Sequence, residues 1–494
     1  MEHCIEASGC SINRGLHKRK SGSADHTPVS ARRPLADDQS VSPMEEGFAL
    51  WRGFWPVVVI SLALAFSFAT GPFRAPDEPN HFFRAYEISE GRFIAARPGG
   101  GFLGDWLPRS LDKTAKALGG YPAVPPVWVE RAALAKAWKV RLKSARIFIH
   151  FPGAALHSPL VYAPAALGIA LGRVWHGRPV LLFYLARCCN ALVAGGLIGL
   201  ALSRLWRRAP YLVTIALFPM CLFQVGNLTS DAVTFGISFL WLSEVLCARS
   251  ERCLGPPRWR WVLIAVALSQ LRFPYPLLGL LVFALPRTLT GRNRADRLRF
   301  FSIFFTSLIL PSLLWIFAVQ GLRVSLRPFV EVDPARQLHF VVSHPLHFFY
   351  LIGASVREFG YEFWRQMIGV FGWLNLPLPN WILIGVTLSL VVTICSSHAR
   401  QLRFTWPLRL AFLTLAAGTL ILTAVVVYLA WNSVGAPRIE GWQGRYAIPI
   451  LPLLATALAN EWLRRVRWLS YGALVFSILA NAASIIYLAR ATWS

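Results

Sequence analysis

Long apolar runs alternate with short polar loops along most of the chain, from residue 51 to the C-terminus. Many of these runs approach the roughly 20 residues that an α-helix needs to cross the hydrocarbon core of a bilayer. The pattern predicts an all-α fold, a polytopic transmembrane helical bundle of about 11 spans. The predicted spans are residues 51–70, 179–202, 210–225, 231–248, 259–271, 276–286, 300–320, 381–395, 410–431, 446–461 and 468–488.

Arginines in the short loops predict the orientation of this bundle. Cytoplasmic loops of membrane proteins are enriched in Lys and Arg. Basic residues ahead of the first span put the N-terminus inside. The arginine-rich loops at 204–208 and 249–260 also fall inside, provided that the short apolar piece 157–172 lies at the interface and does not cross. The C-terminus then lies outside.

The same pattern divides the chain into two parts. Residues 1–46 are polar and rich in Ser, Arg and Asp, and they predict a disordered cytoplasmic tail. Residues 47–494 form the predicted membrane domain. Within it, 71–178 is the first outer loop, which carries juxtamembrane helices, and 321–380 is a second long outer segment. Whether the apolar piece 345–356 crosses the membrane stays open.

Composition supports a membrane protein and removes one alternative. The chain is 55% hydrophobic, with a mean hydropathy of +0.48 and a formal net charge of +26. In a soluble protein such a charge would indicate nucleic-acid binding. Here the positive charge lies in short loops between apolar runs, where it orients the protein in the membrane. We therefore expect membrane lipids as partners and no nucleic acid.

The stretch 71–93, directly after the first predicted span, carries the most conspicuous candidate chemistry. Adjacent Asp77 and Glu78 are costly to keep at a membrane boundary, and they suit proton abstraction or divalent-metal binding. A helix that begins near Pro79 would put His81 on their face. His81 and Arg84 are candidates for substrate binding. The alternative is a capped juxtamembrane helix with solvated acids.

Three further polar clusters fall on the outer side of the predicted bundle. Asp231 opens a span, and its alternative role is to cap that helix. Arg445 and Tyr446 lie at another span boundary, where both residues could simply anchor the interface. Arg187 lies inside an apolar run, which makes it a functional candidate unless it snorkels to the interface.

Together these clusters bring carboxylates and arginines to one face of the membrane. Arginine binds phosphate through two parallel hydrogen bonds. A carboxylate deprotonates a hydroxyl or holds a metal ion on a phosphate. The combination predicts a substrate with a diphosphate or phosphate group and a hydroxyl acceptor, with Arg187, Asp231, Arg445 and Tyr446 as substrate-binding residues. Asp77 and Asp231 are the candidate metal ligands.

Seven sequence blocks, in order, resemble the bacterial membrane-protein family DUF2142, and the resemblance runs from about residue 51 to the C-terminus. The blocks are PDEPNHFFRAYEISEGRF, HSPLVYAPAALGIALGR, YLARCCN, ALFPMCLFQVGNLTSDAVTFGISFL, RFPYPLL, GVFGWLNLPLP and GRYAIPILPLL.

That family is similar to the GT-C superfamily of membrane glycosyltransferases. The resemblance implies a GT-C-like bundle in the bacterial inner membrane, a polyprenyl-phosphate-linked sugar donor and transfer on the periplasmic face. It implies that Asp77 is the first catalytic candidate and Glu78 the second, with Asp231 matching a further acid of the second outer loop. Metal-dependent members often carry Asp-x-Asp, from which this chain departs, so a Mg²⁺ or Mn²⁺ cofactor stays open.

The sequence thus predicts an integral inner-membrane glycosyltransferase that transfers a hexosyl or pentosyl unit to an envelope glycan or lipid during polysaccharide biosynthesis. Two rivals belong to other classes. One is a transporter or flippase for a lipid-linked glycan, which would often show repeats and broken helices at the midplane. The other is a non-catalytic assembly protein. The sequence leaves the sugar, the acceptor and the oligomeric state open.

Overall fold

The computed structural model describes residues 43–99, 101–120, 127–175, 177–250, 257–322, 324, 327, 330–402, 404–463 and 465–493. Residues 1–42 of the predicted tail therefore lie outside the described residues, and helix α1 begins at Pro43. Residues 48–494 form one structural unit, and the account below concerns that unit.

Helices make up most of the described chain. The first ten are α1 (Pro43–Ala69), α2 (Glu78–Ser89), α3 (Arg109–Ala117), α4 (Arg131–Trp138), α5 (Pro152–Ala155), α6 (Ala163–Val174), α7 (Pro179–Leu205), α8 (Pro210–Ala216), α9 (Pro219–Gly226) and α10 (Asp231–Arg249). The others are α11 (Arg258–Ser269), α12 (Arg287–Thr290), α13 (Arg294–Val319), α14 (Pro334–Ser343), α15 (Pro345–Gly369), α16 (Asn380–Cys395), α17 (Trp406–Trp431), α18 (Leu451–Leu458) and α19 (Arg467–Thr492). Short 3-10 helices cover Pro159–Tyr162, Tyr275–Ala284, Gln320–Leu322 and Gly444–Ala447.

Five helical segments in the described chain are long and apolar enough to cross a membrane: Pro179–Leu205, Asp231–Arg249, Arg294–Leu322, Trp406–Trp431 and Trp468–Thr492. Four shorter apolar helices accompany them: Gly53–Ala69, Pro159–Val174, Tyr275–Ala284 and Asn380–Cys395. The predicted polytopic helical bundle is confirmed at this level, whereas the count of about 11 spans is not.

Two predicted spans are broken in the structure. The apolar run 210–225 forms α8 and α9, which are separated at Leu217 and Phe218, directly before Pro219. A residue that precedes proline is disfavoured in the helical region, so the helix stops there. The freed carbonyl of Leu217 accepts a hydrogen bond of 2.7 Å from the Asn481 side chain of α19. The run 446–461 likewise forms only a 3-10 turn and the eight-residue α18.

The predicted first outer loop also contains a small antiparallel sheet, so the fold is mostly helical and not, as was predicted, entirely so. Its strands are β1 (Ala96–Gly99), β2 (Phe102–Pro108) and β3 (Arg146–His150), in the order β1-β2-β3. A further hairpin pairs β4 (Val370–Phe371) with β5 (Leu376–Pro377). Strands β2 and β3 are separated by α3 and α4, and such long-range pairing leaves little signal in a short apolar window.

Close helix packing fixes the position of α2, which carries the 77–81 motif. Helix α6 packs against α7, and a Cβ atom at Gly168 of α6 would lie 2.5 Å from the carbonyl oxygen of Leu185. A side chain at this position would therefore force the two helices apart. Helix α2 packs in turn on α6. The motif is thus held on a rigid support.

The two ends of α10 carry different polar groups. Asp231 opens the helix, and Glu244 lies 13 residues later, about 20 Å along the axis. Glu244 is fully buried and pairs with Arg204 at 2.5 Å and with Arg260 at 2.8 Å. The end with the arginine-rich loops is therefore separate from the end that carries Asp231.

Candidate functional site

Four charged side chains from separate parts of the chain lie near the end of the bundle where α10 begins. Asp231 faces two arginines, with its Oδ1 3.6 Å from Arg272 Nη2 and its Oδ2 3.7 Å from Arg445 Nε. Asp77 belongs to the same group, because the charges of Arg445 and Asp231 both act on its carboxyl. We call Asp77, Asp231, Arg272 and Arg445 the acid–arginine cluster.

Asp77 has a strained backbone and a free side chain. It lies just before α2 with φ 56° and ψ 14°, in the left-handed region, and its side chain makes no capping hydrogen bond. Such outliers cost of order 1–3 kcal/mol and collect at functional sites. The side chain is exposed to solvent. A carboxylate that does not cap the helix and is open on one side can be reached by a substrate.

The surroundings of Asp77 favour its action as a base. The protein atoms that crowd around it raise the pKa of its carboxyl above the ordinary 3.8, Arg445 opposes this rise, and Asp231 adds to it. Water on the open side of the carboxyl limits the shift. A carboxylate with a raised pKa accepts a proton more readily than an ordinary one.

Asp231 orients the two arginines of the cluster. Asp231 is 5% exposed and Arg445 is 6% exposed, whereas Arg272 is partly exposed to solvent. Neither Ser230 nor Asp231 supplies a side-chain cap to α10, so the capping alternative for this carboxylate does not describe the structure. Asp231 alone neutralises one of the two guanidinium charges, and the second carboxylate of the cluster, Asp77, becomes neutral when it takes up a proton. An anion could therefore be held there.

Tyrosines form one wall of the acid–arginine cluster. The Arg272 guanidinium carbon lies 4.5 Å from the ring centre of Tyr446, and that of Arg445 lies 5.4 Å from the same ring. The Tyr275 hydroxyl donates a 2.9 Å hydrogen bond to the Tyr446 carbonyl. These contacts hold both arginines in place by cation–π attraction. Tyr446, which was predicted to bind substrate, therefore supports the two arginines of the cluster.

A histidine–tyrosine group adjoins the cluster. His81 Nδ1 lies 2.7 Å from the Tyr162 hydroxyl, and the His157 ring centre lies 6.5 Å from that of His81. Burial, followed by the charges of His157 and Arg445, keeps the pKa of His81 well below its ordinary value. Burial and the charge of Arg272 lower the pKa of His157 to about 4. Both imidazoles are therefore neutral at pH 7.

The structure does not bring Glu78 and Arg187 into the cluster. They form a fully buried ion pair, with Arg187 Nε and Nη2 at 2.8 and 2.7 Å from the two oxygens of Glu78. Arg187 also donates to the carbonyl oxygens of Ser67, Thr70 and Gly71 at 2.7, 2.7 and 3.1 Å. These bonds use all five N–H groups of the guanidinium, which favours a structural role for both residues.

Arg84 also lies apart from the cluster, in a second buried pair. Its Nη1 donates to Glu87 at 2.6 Å, and its Nη2 donates to the carbonyls of Phe93 and His157 at 2.7 and 3.1 Å. Burial raises the pKa of Glu87 to about 7, against the opposing charge of Arg84. Arg84 thus fixes the backbone at His157, and its predicted contact with substrate would be indirect.

The side chains present do not by themselves form a metal site. Among the residues that the structure describes, no group of three or more His, Cys, Asp or Glu side chains is arranged to hold a metal ion. Mg²⁺ prefers six oxygen ligands, and Asp231, one of the two carboxylates predicted to hold it, already faces two guanidinium groups. The arrangement fits an anion better than a resident cation.

Sequence reasoning missed Arg272 and His157 as members of the site. Both lie in sequence blocks that carried the resemblance, RFPYPLL and HSPLVY. Arg272 had a usable signal, because an arginine on the outer side of two short apolar segments runs against the positive-inside rule. His157 had none beyond its proline-rich setting, since its contact with His81 joins residues far apart in sequence.

Comparison with known proteins agrees with the membrane architecture. A family model described as "Predicted membrane protein (DUF2142)" matches residues 60–454. The matched range includes Asp77, Asp231, Arg272 and Arg445. No curated protein and no solved structure matches the chain. The family match covers most of the 494 residues and confirms the resemblance of the sequence blocks, so the chain belongs to the DUF2142 family of membrane proteins.

Proposed function

We propose that this protein is an integral membrane glycosyltransferase of the GT-C type, which transfers a sugar from a polyprenyl-phosphate donor to a hydroxyl of an envelope glycan or lipid. One observation carries the proposal. A reachable carboxylate, Asp77, lies in the same group of charges as two arginines fixed on Asp231. Glycosyl transfer from a phosphate donor requires both parts, a base for the acceptor and cations for the leaving phosphate.

The charge balance of the cluster supports this donor. While Asp77 is ionised, the two carboxylates balance the two guanidinium groups. Once Asp77 has taken up the acceptor proton, Arg272 and Arg445 exceed Asp231 by one positive charge, which matches the negative charge that the leaving phosphate gains. Guanidinium groups bind phosphate oxygens in a planar, bidentate manner. Because Asp231 and the Tyr446 ring already fix the arginines, they need little reorganisation when the phosphate arrives.

In the proposed reaction, Asp77 accepts the proton of the acceptor hydroxyl. The acceptor oxygen forms a bond to the anomeric carbon of the sugar, and the bond between that carbon and the phosphate oxygen breaks. The electron pair of that bond leaves with the polyprenyl phosphate, whose added negative charge Arg272 and Arg445 neutralise. The neutral imidazole of His81, held by the Tyr162 hydroxyl, is placed to hydrogen-bond a sugar hydroxyl.

The proposal includes the setting of the enzyme. The reaction takes place on the periplasmic face of a bacterial inner membrane, in a multi-pass chain whose N-terminus is cytoplasmic and whose C-terminus is periplasmic. The grouping of Asp77, Asp231, Arg272 and Arg445 at the end of α10 opposite the Glu244–Arg204–Arg260 group supports one outer site. The arginine-rich loops would then face the cytoplasm.

Replacement of Asp77 tests the proposal. Asn tolerates the left-handed backbone and keeps the shape of the side chain, so Asp77→Asn removes the base alone. We expect a loss of about 100-fold to 10,000-fold in transfer. The measurement is the composition of the envelope glycan by mass spectrometry in cells that carry the variant, at a matched protein level in the membrane.

Two further variants sharpen this test. Asp77→Gly relieves the backbone strain at φ 56°, so it should fold as well as the original chain and still lack activity. Asp112→Asn changes an acid of the same predicted outer loop, which among the described residues forms one ion pair, with Lys116 at 2.8 Å, and it should keep full activity. Normal glycan with Asp77→Asn at a normal protein level would contradict the enzyme and favour an assembly protein. Intact lipid-linked glycan stalled on the inner face would favour a flippase.

A further inference from the structure

A basic recess lies at the opposite end of α2 from Asp77. It has a volume of about 590 Å³ and is lined by the end of α2, residues 142–146 and the end of α6. Glu90 follows His81 by nine positions, which corresponds to about 14 Å along the axis of α2. The recess is therefore distinct from the acid–arginine cluster.

The charges around this recess do not balance. Glu90 accepts from Arg146 at 2.6 and 2.9 Å and pairs with Arg92, which also pairs with Asp105 at 2.7 Å. Arg173 lies 3.5 Å from Glu90. Lys143 is exposed and forms no ion pair with any described residue. Four cations thus surround two carboxylates, and Lys143 and Arg173 are the least neutralised.

An apolar stripe leads along α6 to the same recess. Leu160, Leu167, Leu171 and Val174 are 37, 55, 47 and 73% exposed, and their spacing puts them on one face of a helix. The stripe is about 20 Å long and ends beside Arg173. Trp175, 74% exposed, follows directly. Tryptophan at the end of an apolar helical face is typical of the membrane–water interface.

We propose that the recess and the stripe together form a binding site for a phospholipid of the outer leaflet. The phosphodiester of the headgroup lies against Lys143 and Arg173, and an acyl chain lies along Leu167, Leu171 and Val174. A basic recess alone would accept any anion, whereas a basic recess at the end of an exposed apolar stripe fits an anion with a hydrocarbon chain. The site is independent of the proposed transferase reaction.

The test measures lipid binding to the full chain in detergent. The probe is dioctanoyl phosphatidylglycerol, and two comparison ligands are its chain-free headgroup, glycerophosphoglycerol, and inorganic phosphate. We expect saturable binding of the lipid with a rise in thermal unfolding temperature, and much weaker binding of both comparison ligands. Equal binding of glycerophosphoglycerol or inorganic phosphate would overturn the lipid assignment and leave a simple anion site.

Two variants locate the bound lipid. Lys143→Gln removes an exposed charge without loss of a side-chain hydrogen bond or ion pair to any described residue, so the variant should fold normally and bind the lipid about fivefold more weakly. Arg173→Gln should weaken it by at least as much, although Arg173 also donates to Ser89 at 2.9 and 3.2 Å. The matched control is Lys139→Gln, which removes an exposed lysine from the same outer loop and should leave binding unchanged. Unchanged lipid affinity in Lys143→Gln would overturn the proposal.

Discussion

At the residue scale, the structure separates side chains that are proposed to act on a substrate from side chains that are buried in the fold. Asp77 has an exposed carboxylate and no capping bond, whereas Glu78 next to it is fully buried against Arg187. Two neighbouring acids thus have different roles, set by the direction in which the backbone turns at φ 56°. The sequence identified the pair and, through the family resemblance alone, ranked Asp77 before Glu78; it did not indicate that Glu78 is buried against Arg187.

The candidate site was partly predictable because charged residues are rare among apolar runs. Asp231 and Arg445 were visible as isolated charges at span boundaries. The pairing of Arg187 with Glu78 was not visible, since it joins residues 109 positions apart and depends on how α1, α2 and α7 pack. A lone arginine in a span looks the same in sequence whether it binds a substrate or satisfies backbone carbonyls.

The buried histidines predict a pH dependence of stability. The pKa of His157 falls from 6.5 to about 4 in the folded protein, so the unfolded chain binds a proton first as the pH falls. Stability is therefore complete above about pH 6.5 and declines towards pH 4, by up to about 3 kcal/mol for this group, less where water reaches the ring. We expect the fall in unfolding temperature between pH 7 and pH 4.5 to be smaller in His157→Gln.

Two other titrating groups lie nearby. Glu87, whose pKa is raised to about 7, is present in both chains and acts in the opposite direction, because its stabilisation is lost as the pH rises. The charge of His157 helps to lower the pKa of His81, so the difference between the two chains reports on this histidine pair. His339→Gln, at an exposed position of α14, serves as the control and should retain the original pH profile. If the unfolding temperature of His157→Gln changed with pH in the same way as that of the original chain, the prediction would be wrong. His157 would then be protonated in the folded state at pH 4.5.

At the element scale, the Glu78–Arg187 pair connects three helices. Arg187 of α7 binds the carbonyl of Ser67 in the last turn of α1 and the carbonyl of Thr70 directly after that helix, and it binds Glu78 at the start of α2. Glu78 Oε1 also accepts the backbone N–H of Leu228 at 3.1 Å, shortly before α10. The pair therefore fixes where Asp77 and Asp231 emerge from the bundle.

This arrangement predicts a stability defect from Glu78→Gln. The substitution leaves the buried Arg187 charge unpaired, which costs about 3–5 kcal/mol. We expect a lower unfolding temperature in detergent and a reduced protein level in the membrane, in contrast to Asp77→Asn. Glu130→Gln, at an exposed position of the same outer loop, should leave both unchanged. A stable and inactive Glu78→Gln would instead support the predicted catalytic role of Glu78.

Helix existence was predictable from the sequence, but helix continuity was not. Predicted spans such as 179–202 and 231–248 correspond to the continuous helices α7 and α10. The run 210–225 looked equally apolar and is broken before Pro219. In a bilayer such a break requires another partner for the freed backbone groups, and Asn481, 264 residues away, supplies one. The sheet β1–β2–β3 was missed for the same reason, because its pairing is long-range.

At the scale of the whole molecule, polar groups are segregated to two ends of one bundle. The Glu244–Arg204–Arg260 group lies at one end of α10, and the acid–arginine cluster lies at the other. Much of the net charge of +26 lies in loops, and the arginine-rich loops are at the end of α10 that carries Glu244. This asymmetry is the physical basis of the proposed orientation.

The orientation leads to the last prediction, which two single cysteines can test. Ser144 lies in the first outer loop, Arg292 lies in the loop between α12 and α13, and both are exposed. If the arginine-rich end is cytoplasmic, a membrane-impermeant maleimide should label Ser144→Cys in cells with a permeabilised outer membrane. It should label Arg292→Cys only after the inner membrane is opened, because the reagent cannot cross that bilayer. In the parent chain for both variants, six of the eight cysteines are replaced and the buried Cys221 and Cys247 are retained, which should stay unlabelled. Labelling of Arg292→Cys at the rate of Ser144→Cys before the inner membrane is opened would put both loops on one side. That result would overturn the topology and, with it, the assignment of the acid–arginine cluster to the periplasmic face.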